Sequence, residues 1–251
     1  MSHDRELRAL PIVGLPEIGP GAALGELIAA SASLQEGDVV VIAQKVVSKS
    51  EGRIRRLASV VPGARARRLA TELGKDPALV ELILAESAEV LRAERGVLIV
   101  ETHHGFVCAN AGIDSSNLPE DRTVSLLPED PDASARRIRA EIREAGGGAP
   151  AVIVADSFGR AWRLGQSEVA IGCAGFTPLD DWRGRWDAHG RELEATLIAV
   201  ADEAAGVADL VRAKDSQVPA VVVRGLGHFV TVEDGPGASL LRRPRVEDLF
   251  R

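Results

Sequence analysis

Asp114 and Asp156 each close an apolar, strand-like segment and open a loop of small residues. If their strands are neighbours, both carboxylates project into one site. Hard divalent cations favour such oxygens: Mg²⁺ or Mn²⁺ takes one or two carboxylates and completes its shell with hydroxyl, water and substrate phosphate. Ser157 adds a hydroxyl beside Asp156. The competing reading is local, because an aspartate after a strand commonly caps a turn or a helix.

The stretch Asp156-Ser-Phe-Gly-Arg160-Ala-Trp-Arg163-Leu-Gly-Gln-Ser is denser, with a carboxylate, two arginines, two glycines and several polar side chains in twelve residues. Arginine's planar fork pairs with phosphate oxygens, and a cation neutralises charge that would repel an attacking nucleophile. A surface loop with ordinary ion pairs is the alternative. Lys45-Val-Val-Ser48-Lys49-Ser50-Glu51-Gly52-Arg53 likewise gathers cations and hydroxyls directly after a buried strand. It suits a nucleotide phosphate or, equally, a solvated basic turn.

Several chemistries lack their signatures. There is no GxxxxGK[ST] loop, and no GxGxxG after a strand. His103-His104 has no partners at metal-ligand spacing, and Cys108 belongs to no CxxC pair, so zinc is left out. Neither a GxSxG elbow nor a Ser/Cys-His constellation points to hydrolysis.

The elements that must position these groups are legible in outline. An apolar stretch at Leu10–Val13 leads through Gly14-Leu15-Pro16-Glu17-Ile18 to a turn at Gly19-Pro20-Gly21, then to a helix from Ala22 to Leu34. Val39–Ala43 is a β-branched run typical of a buried strand. Ala64 to Glu86 reads as two short helices parted at Lys75-Asp76-Pro77, with proline in the first turn of the second. Val97–Glu101 and Gly105–Ala109 form a hairpin. A helix capped by Asp132 ends at three glycines. Ala149–Ala155 is a buried strand delivering Asp156 to its end, Leu193–Val200 resembles a strand, Ala201–Lys214 a helix and Pro219–Leu226 a last strand. Strands and helices mix without a regular βαβ period, which favours an α+β fold of mixed sheets and flanking helices over a Rossmann or P-loop sheet. Residues 1–251 are expected to form one domain, with room for two subdomains.

At 45% hydrophobic residues the chain can bury a large core, and its two distant cysteines, Cys108 and Cys173, suggest reduced buried thiols. No apolar run spans a bilayer, and MSHDRELRALPIV lacks a signal peptide's long apolar core, so a cytoplasmic protein is expected. A net charge of −7, 3% aromatic residues and no tyrosine disfavour a nucleic-acid surface.

Taken together, GLPEI at 14–18, KVVSKSEGR at 45–53, AGIDSSN at 111–117, DSFGRAWRLGQ at 156–166, ADEAAGVADLV at 201–211 and PAVVVRG at 219–225 resemble the coenzyme F420-0:L-glutamate ligase family. The resemblance implies a homodimer with an α+β fold of its own kind. It also implies two divalent ions, Mg²⁺ or Mn²⁺, with K⁺ as a further ion, and GTP as co-substrate for joining L-glutamate to F420-0. Leu15, Pro16, Glu17 and Ile18 match the family's first nucleotide-contacting segment, Lys49 a lysine at the GTP site, and Asn117 a nucleotide contact. Asp114 and Asp156 match metal-binding aspartates, and Ser157 a hydroxyl ligand of the second metal. The match stops near residue 251, which implies a stand-alone ligase without the C-terminal nitroreductase-like domain of some relatives.

Two positions depart from the family. Gln44, grouped with the nucleotide contacts, stands where relatives often carry Ser. Lys214 stands where some carry a glutamine ligand, so the second metal would be held differently or less tightly. The implied mechanism is carboxylate activation: a lactyl carboxylate attacks the GTP γ-phosphate, and the amine of glutamate displaces phosphate from the acyl phosphate. Arg160 and Arg163 are the candidates, from the residues themselves, for holding phosphate or substrate carboxylates. The rivals are an ATP-dependent carboxylate–amine ligase acting on another phosphorylated acid and a noncatalytic phospho-cofactor-binding protein.

Overall fold

The computed structural model describes residues 6–115, 122–212 and 216–250. Along the chain lie β1 (Arg8–Ile12), α1 (Leu24–Ser31), β2 (Val39–Ala43), α2 (Gln44–Ser50), β3 (Ile54–Arg56), α3 (Ala64–Leu73), α4 (Pro77–Ala85), β4 (Ser87–Glu94), β5 (Val97–Thr102), β6 (Val107–Ala109) and β7 (Thr123–Ser125). Then follow α5 (Pro131–Glu144), β8 (Ala151–Arg160), β9 (Arg163–Ala174), β10 (Asp180–Asp181), β11 (Leu197–Ile198), α6 (Val200–Val211) and β12 (Ala220–Arg224). The architecture is mixed α+β.

A five-stranded sheet in the order β1-β12-β2-β8-β9 is the frame. Its β2–β8 pair is parallel and its other pairs are antiparallel. The central strands are covered on both sides, which is why Val39-Val-Val-Ile42 and Ala151-Val-Ile-Val154 read as unbroken apolar runs. Pro11 sits in β1, at the sheet edge, where its missing N–H removes no ladder bond on the open side. On one face Val40, Ile42, Val152 and Val154 pack against α1 and α5 residues such as Ile28, Ile138 and Ile142. On the other, Val41, Ile153 and Val221 pack against the alanine stripe Ala201, Ala204, Ala205 and Ala208 of α6. A smaller core joins α3 and α4 to the antiparallel sheet β4-β5-β6.

Helix starts follow their caps. Pro77 takes the first turn of α4, as the sequence predicts, and Asp76 ahead of it accepts the Ala78 N–H. At α5 the expected cap is displaced: Asp130, not Asp132, accepts the Ala133 N–H at 2.9 Å, and Pro131 takes the first helical position. Asp132 instead accepts the N–H groups of Cys173 (2.8 Å) and Ala238 (2.7 Å), tying the helix to β9 and to the C-terminal segment. Arg139, 1% exposed, does similar work, donating to the carbonyls of Pro150, Thr231 and Val232 and to Asp234.

Three other expectations change. The predicted strand at Leu193–Val200 is reduced to Leu197–Ile198, which pairs with Asp180–Asp181. Ser87–Glu94, unassigned in the sequence reading, is a strand of the β4-β5-β6 sheet beside the expected hairpin. Asp156–Arg160 is not a loop: β8 runs straight through it and returns as β9. Cys108 and Cys173 are buried free thiols, as expected.

Helices α1 and α5 meet at Gly25, where an added Cβ would come within 2.4 Å of the Ile138 carbonyl oxygen and of the Glu141 Cβ. Backbone cannot yield as a flexible side chain does. Gly25→Ala should therefore lower stability by about 1–3 kcal/mol in urea denaturation; an unchanged midpoint would show that the two helices part without cost.

Candidate active site

The parallel register of β2 and β8 ends with Ala43 opposite Ala155, so Gln44, where β2 gives way to α2, and Asp156, where β8 runs on beyond its pairing with β2, lie at the same edge. Loops at the carboxyl ends of such strands commonly line a ligand crevice. β2 passes directly into α2, and the first six residues of the basic string, 45–50, read as a phosphate grip or a solvated turn, belong to that helix. Lys45 and Lys49 are four residues apart and share one face of it. Each lysine holds a carboxylate from a distant segment: Lys45 Nζ lies 2.7 Å from Asp114 Oδ2, and Lys49 Nζ lies 2.6 Å from Glu17 Oε1.

Asp114 reaches this point through a sharp reversal. Asn110, Ala111 and Gly112 have φ of 53°, 55° and 69° in succession. A buried alanine in that region costs roughly 1 kcal/mol or more, a strain typical of functional loops. Gly112 is required there, since a Cβ would meet the Leu127 side chain at 2.9 Å. Beyond the reversal, Asp114 exchanges two backbone hydrogen bonds with Ser125, at 3.1 and 2.8 Å, and these fix its position.

Along β8, Val152, Val154, Asp156 and Phe158 alternate onto the α1/α5 face. Burial foremost, with the negative charges of Glu168 and, more weakly, Asp114, pushes the Asp156 carboxyl up to about 7, against offsets from the Ser157 N–H and Lys45. Cys108 on β6 also feels this carboxylate: burial first, then the Asp156 charge, push its thiol up to about 12. The structure thus brings Asp114 and Asp156 within electrostatic reach of each other and leaves their shared negative charge only partly compensated. Among the described residues no group of three or more His, Cys, Asp and Glu side chains is gathered for a metal. The donor set fits a hard cation that completes its shell with water and phosphate, and does not suit a protein-only cage.

Ser157 falls on the opposite face of β8. It sits across from Glu168 and donates its hydroxyl to Glu168 Oε1. Glu168, 3% exposed, also lies 2.7 Å from Arg212 Nη2 at the end of α6. Asp156 and Ser157 therefore address two different sides of one strand.

Arg160 and Arg163 are not brought to the carboxylates. They face each other across the two-residue turn of the β8–β9 hairpin, with Arg160 donating to the Leu164 carbonyl at 2.8 Å. Arg160 is four positions along the strand from Asp156, roughly 13 Å away. In the segment 14–18, Ile18 anchors in the core, Leu15 packs against it, Pro16 is exposed and Glu17 reaches Lys49. The Gly21 N–H donates to the Ser50 carbonyl at 2.7 Å, so this segment lies along α2. Gln44 is buried at 2% exposure, and its side-chain carbonyl accepts the Ser48 hydroxyl at 2.9 Å, which uses the amide within the helix. Asn117 and Lys214 lie outside the described residues.

Sequence reasoning did not single out Glu168, and took Lys45 only as one cation of the basic string. Lys45 had a usable signal, its i,i+4 spacing to Lys49, which indicates a helix face once the string is recognised as a helix. Glu168 had none, because only the hairpin register sets it opposite Ser157.

The F420-0:Gamma-glutamyl ligase family model matches residues 13–225 of the chain. A protein of Methanothermobacter thermautotrophicus named coenzyme F420:L-glutamate ligase is 45% identical, covering 96% of this chain and 97% of its own. Proteins of the same name from Methanopyrus kandleri, at 44% identity with 98% of both chains covered, and Methanocaldococcus jannaschii, at 40% with 98% and 99% covered, are similar to the same extent. Matches of that length and identity show that this chain belongs to the F420-0:gamma-glutamyl ligase family.

Proposed function

We propose that this protein joins L-glutamate to the lactyl carboxylate of coenzyme F420-0, at the expense of GTP, through an acyl phosphate. The observation that carries the reading is the convergence of Asp114 and Asp156 beside the lysine face of α2, within a chain of this family. A carboxylate is a poor acylating agent because its charge repels nucleophiles and its oxygen leaves badly. Transfer of the γ-phosphoryl group forms a C–O–P linkage and releases GDP; attack by the glutamate amine then forms the amide as phosphate leaves.

Asp114 and Asp156 would hold a divalent cation, Mg²⁺ or Mn²⁺, and Ser157 would serve a second on the other side of β8. When bound, the cation draws off charge developing on the transferred phosphoryl group. Lys45 and Lys49 add fixed positive charge along the phosphate path, with Lys49 and the segment Leu15–Ile18 at the nucleotide. The protein's main contribution is to align the reactants and keep water from the acyl phosphate. The arm formed by β8 and β9 exposes Trp162 and Leu164 at its tip, with Trp162 packed on Phe250 at 4.8 Å between ring centres. That exposed apolar surface supports a homodimer, with Arg160 and Arg163 at the contact.

Mass spectrometry of the purified protein with F420-0, L-glutamate, GTP and Mn²⁺ should give a glutamyl mass increment that requires all four; a folded protein giving no increment beside a working control enzyme overturns the reading. Asp156→Asn should lower turnover on the order of 10³-fold while the fold persists, whereas near-normal turnover would remove Asp156 from the metal. Because Asp156 titrates near 7 and a proton competes with the cation, Mn²⁺ affinity should rise about tenfold from roughly pH 6 to roughly pH 8, measured by isothermal titration. The folded value lies above the ordinary 3.8, so the stability Asp156 provides is complete below that value and is lost as pH rises through about 7. Metal-free Asp156→Asn should accordingly melt higher than the parent near pH 8, and an equal or lower Tm would contradict the buried-charge account.

A further inference from the structure

A cleft of about 680 Å³ opens at the start of α5, and none of its lining residues belongs to α2. Phe106 and Ile171 line its apolar floor. Its rim is of both signs: Arg136 and Arg242 stand with Glu129 and Asp130. Arg136 is only loosely engaged, 3.9 Å from Asp130 Oδ2, too long for a hydrogen bond. Glu129 is exposed and forms no ion pair among the described residues. Arg242 is set by its donation to the His104 carbonyl and by its position 5.7 Å over the Phe106 ring.

Two short tracks lead from this floor to the carboxylate centre. Phe106 lies two residues before Cys108, which is beside Asp156, and it meets Phe158 edge-on at 6.1 Å, two residues beyond Asp156. Two strand residues span roughly 7 Å. Ile171 forms the bulge of β9 next to Ala155, the residue before Asp156. The cleft therefore ends about one small substrate's length from the reacting centre.

The mixture of charges selects the ligand. A nucleoside triphosphate or a phosphodiester would find its negative charges facing Glu129 and Asp130 as well as the arginines. A molecule carrying carboxylates and an ammonium group satisfies both signs at once. We infer that the cleft between α5, β6 and the Arg242 segment binds the amino-acid substrate, an α-amino dicarboxylate, with Arg136 and Arg242 on its carboxylates and Glu129 on its ammonium group. This inference rests on the ligase reading above, since it assigns that reaction's second reactant.

The test is a comparison of steady-state constants for Arg136→Ala and Glu129→Gln, both at the surface and away from the core, with melting temperatures confirming the fold. Arg136→Ala should raise KM for L-glutamate about tenfold, and Glu129→Gln several-fold, with the KM values for F420-0 and GTP within about twofold of the parent. A rise confined to KM for F420-0 would give the cleft to the acceptor and overturn the assignment; unchanged constants for all three substrates would overturn it as well. If the parent protein makes no product, the ligase reading falls by itself, and equilibrium dialysis with radiolabelled L-glutamate decides the cleft separately. Binding that is weakened in Arg136→Ala and not displaced by glutarate, which lacks the ammonium group, upholds an amphoteric amino-acid site. No binding to the parent, or full displacement by glutarate, rejects it.

Discussion

The parallel, in-register pairing of β2 with β8 is the constraint on which the rest of the site depends. Antiparallel neighbours would have run to opposite edges, whereas here the pairing ends with Ala43 beside Ala155 and both chains continue past the same edge. The lysine helix α2 therefore starts beside Asp156. The parallel pair requires a long crossover, and the chain uses it to build α3, α4, the β4-β5-β6 sheet and the reversal that presents Asp114. One pairing decision thus assembles groups separated by more than a hundred residues.

Charge balance at that edge is incomplete, and the incompleteness has a direction. Asp156 is buried with Glu168 and Asp114 as negative neighbours; the Ser157 N–H is the larger offset, and Lys45, the nearby cation that also offsets it, is already engaged by Asp114. A fold selected for stability alone would neutralise or remove such a carboxylate. Retaining it leaves a centre whose electrostatics favour an added cation. The left-handed Asn110-Ala111-Gly112 turn is a second local expense in the same place, and the two Asp114–Ser125 backbone bonds keep it from relaxing.

Helix α5 links the two sides of the molecule. Its N-terminal turn forms a wall of the mixed-charge cleft, Asp132 binds β9 and the C-terminal segment, and Arg139 satisfies four oxygens from otherwise unconnected stretches. The guanidinium is buried, so its partners are obligatory: losing them would strand a charge in the core. This is why Gly175, whose Cβ would fall within 2.4 Å of Arg139 side-chain atoms, sits at φ 71° beside it.

Much was determined by the sequence alone. The apolar runs of β2, β8 and β12, the proline start of α4, and the ordered motifs around Asp114 and Asp156 are local signals, set by side-chain burial, proline geometry and turn chemistry. They suffice for an α+β fold and for naming the two aspartates. Only the tertiary structure decided which faces those residues occupy. Whether Asp156–Arg160 bends back or continues as strand depends on pairing with β9, and that pairing sends Arg160 and Arg163 outward, turns Ser157 to Glu168 and leaves Asp156 with Lys45 and Asp114. Likewise the sequence assigns the α5 cap to Asp132, whereas the folded chain gives it to Asp130. What separates them is the presence of the Cys173 and Ala238 N–H groups, contributed from 41 and 106 residues away. Periodicity and capping act over a few residues and are written in the chain; register and charge proximity act across it and exist only once the chain is folded.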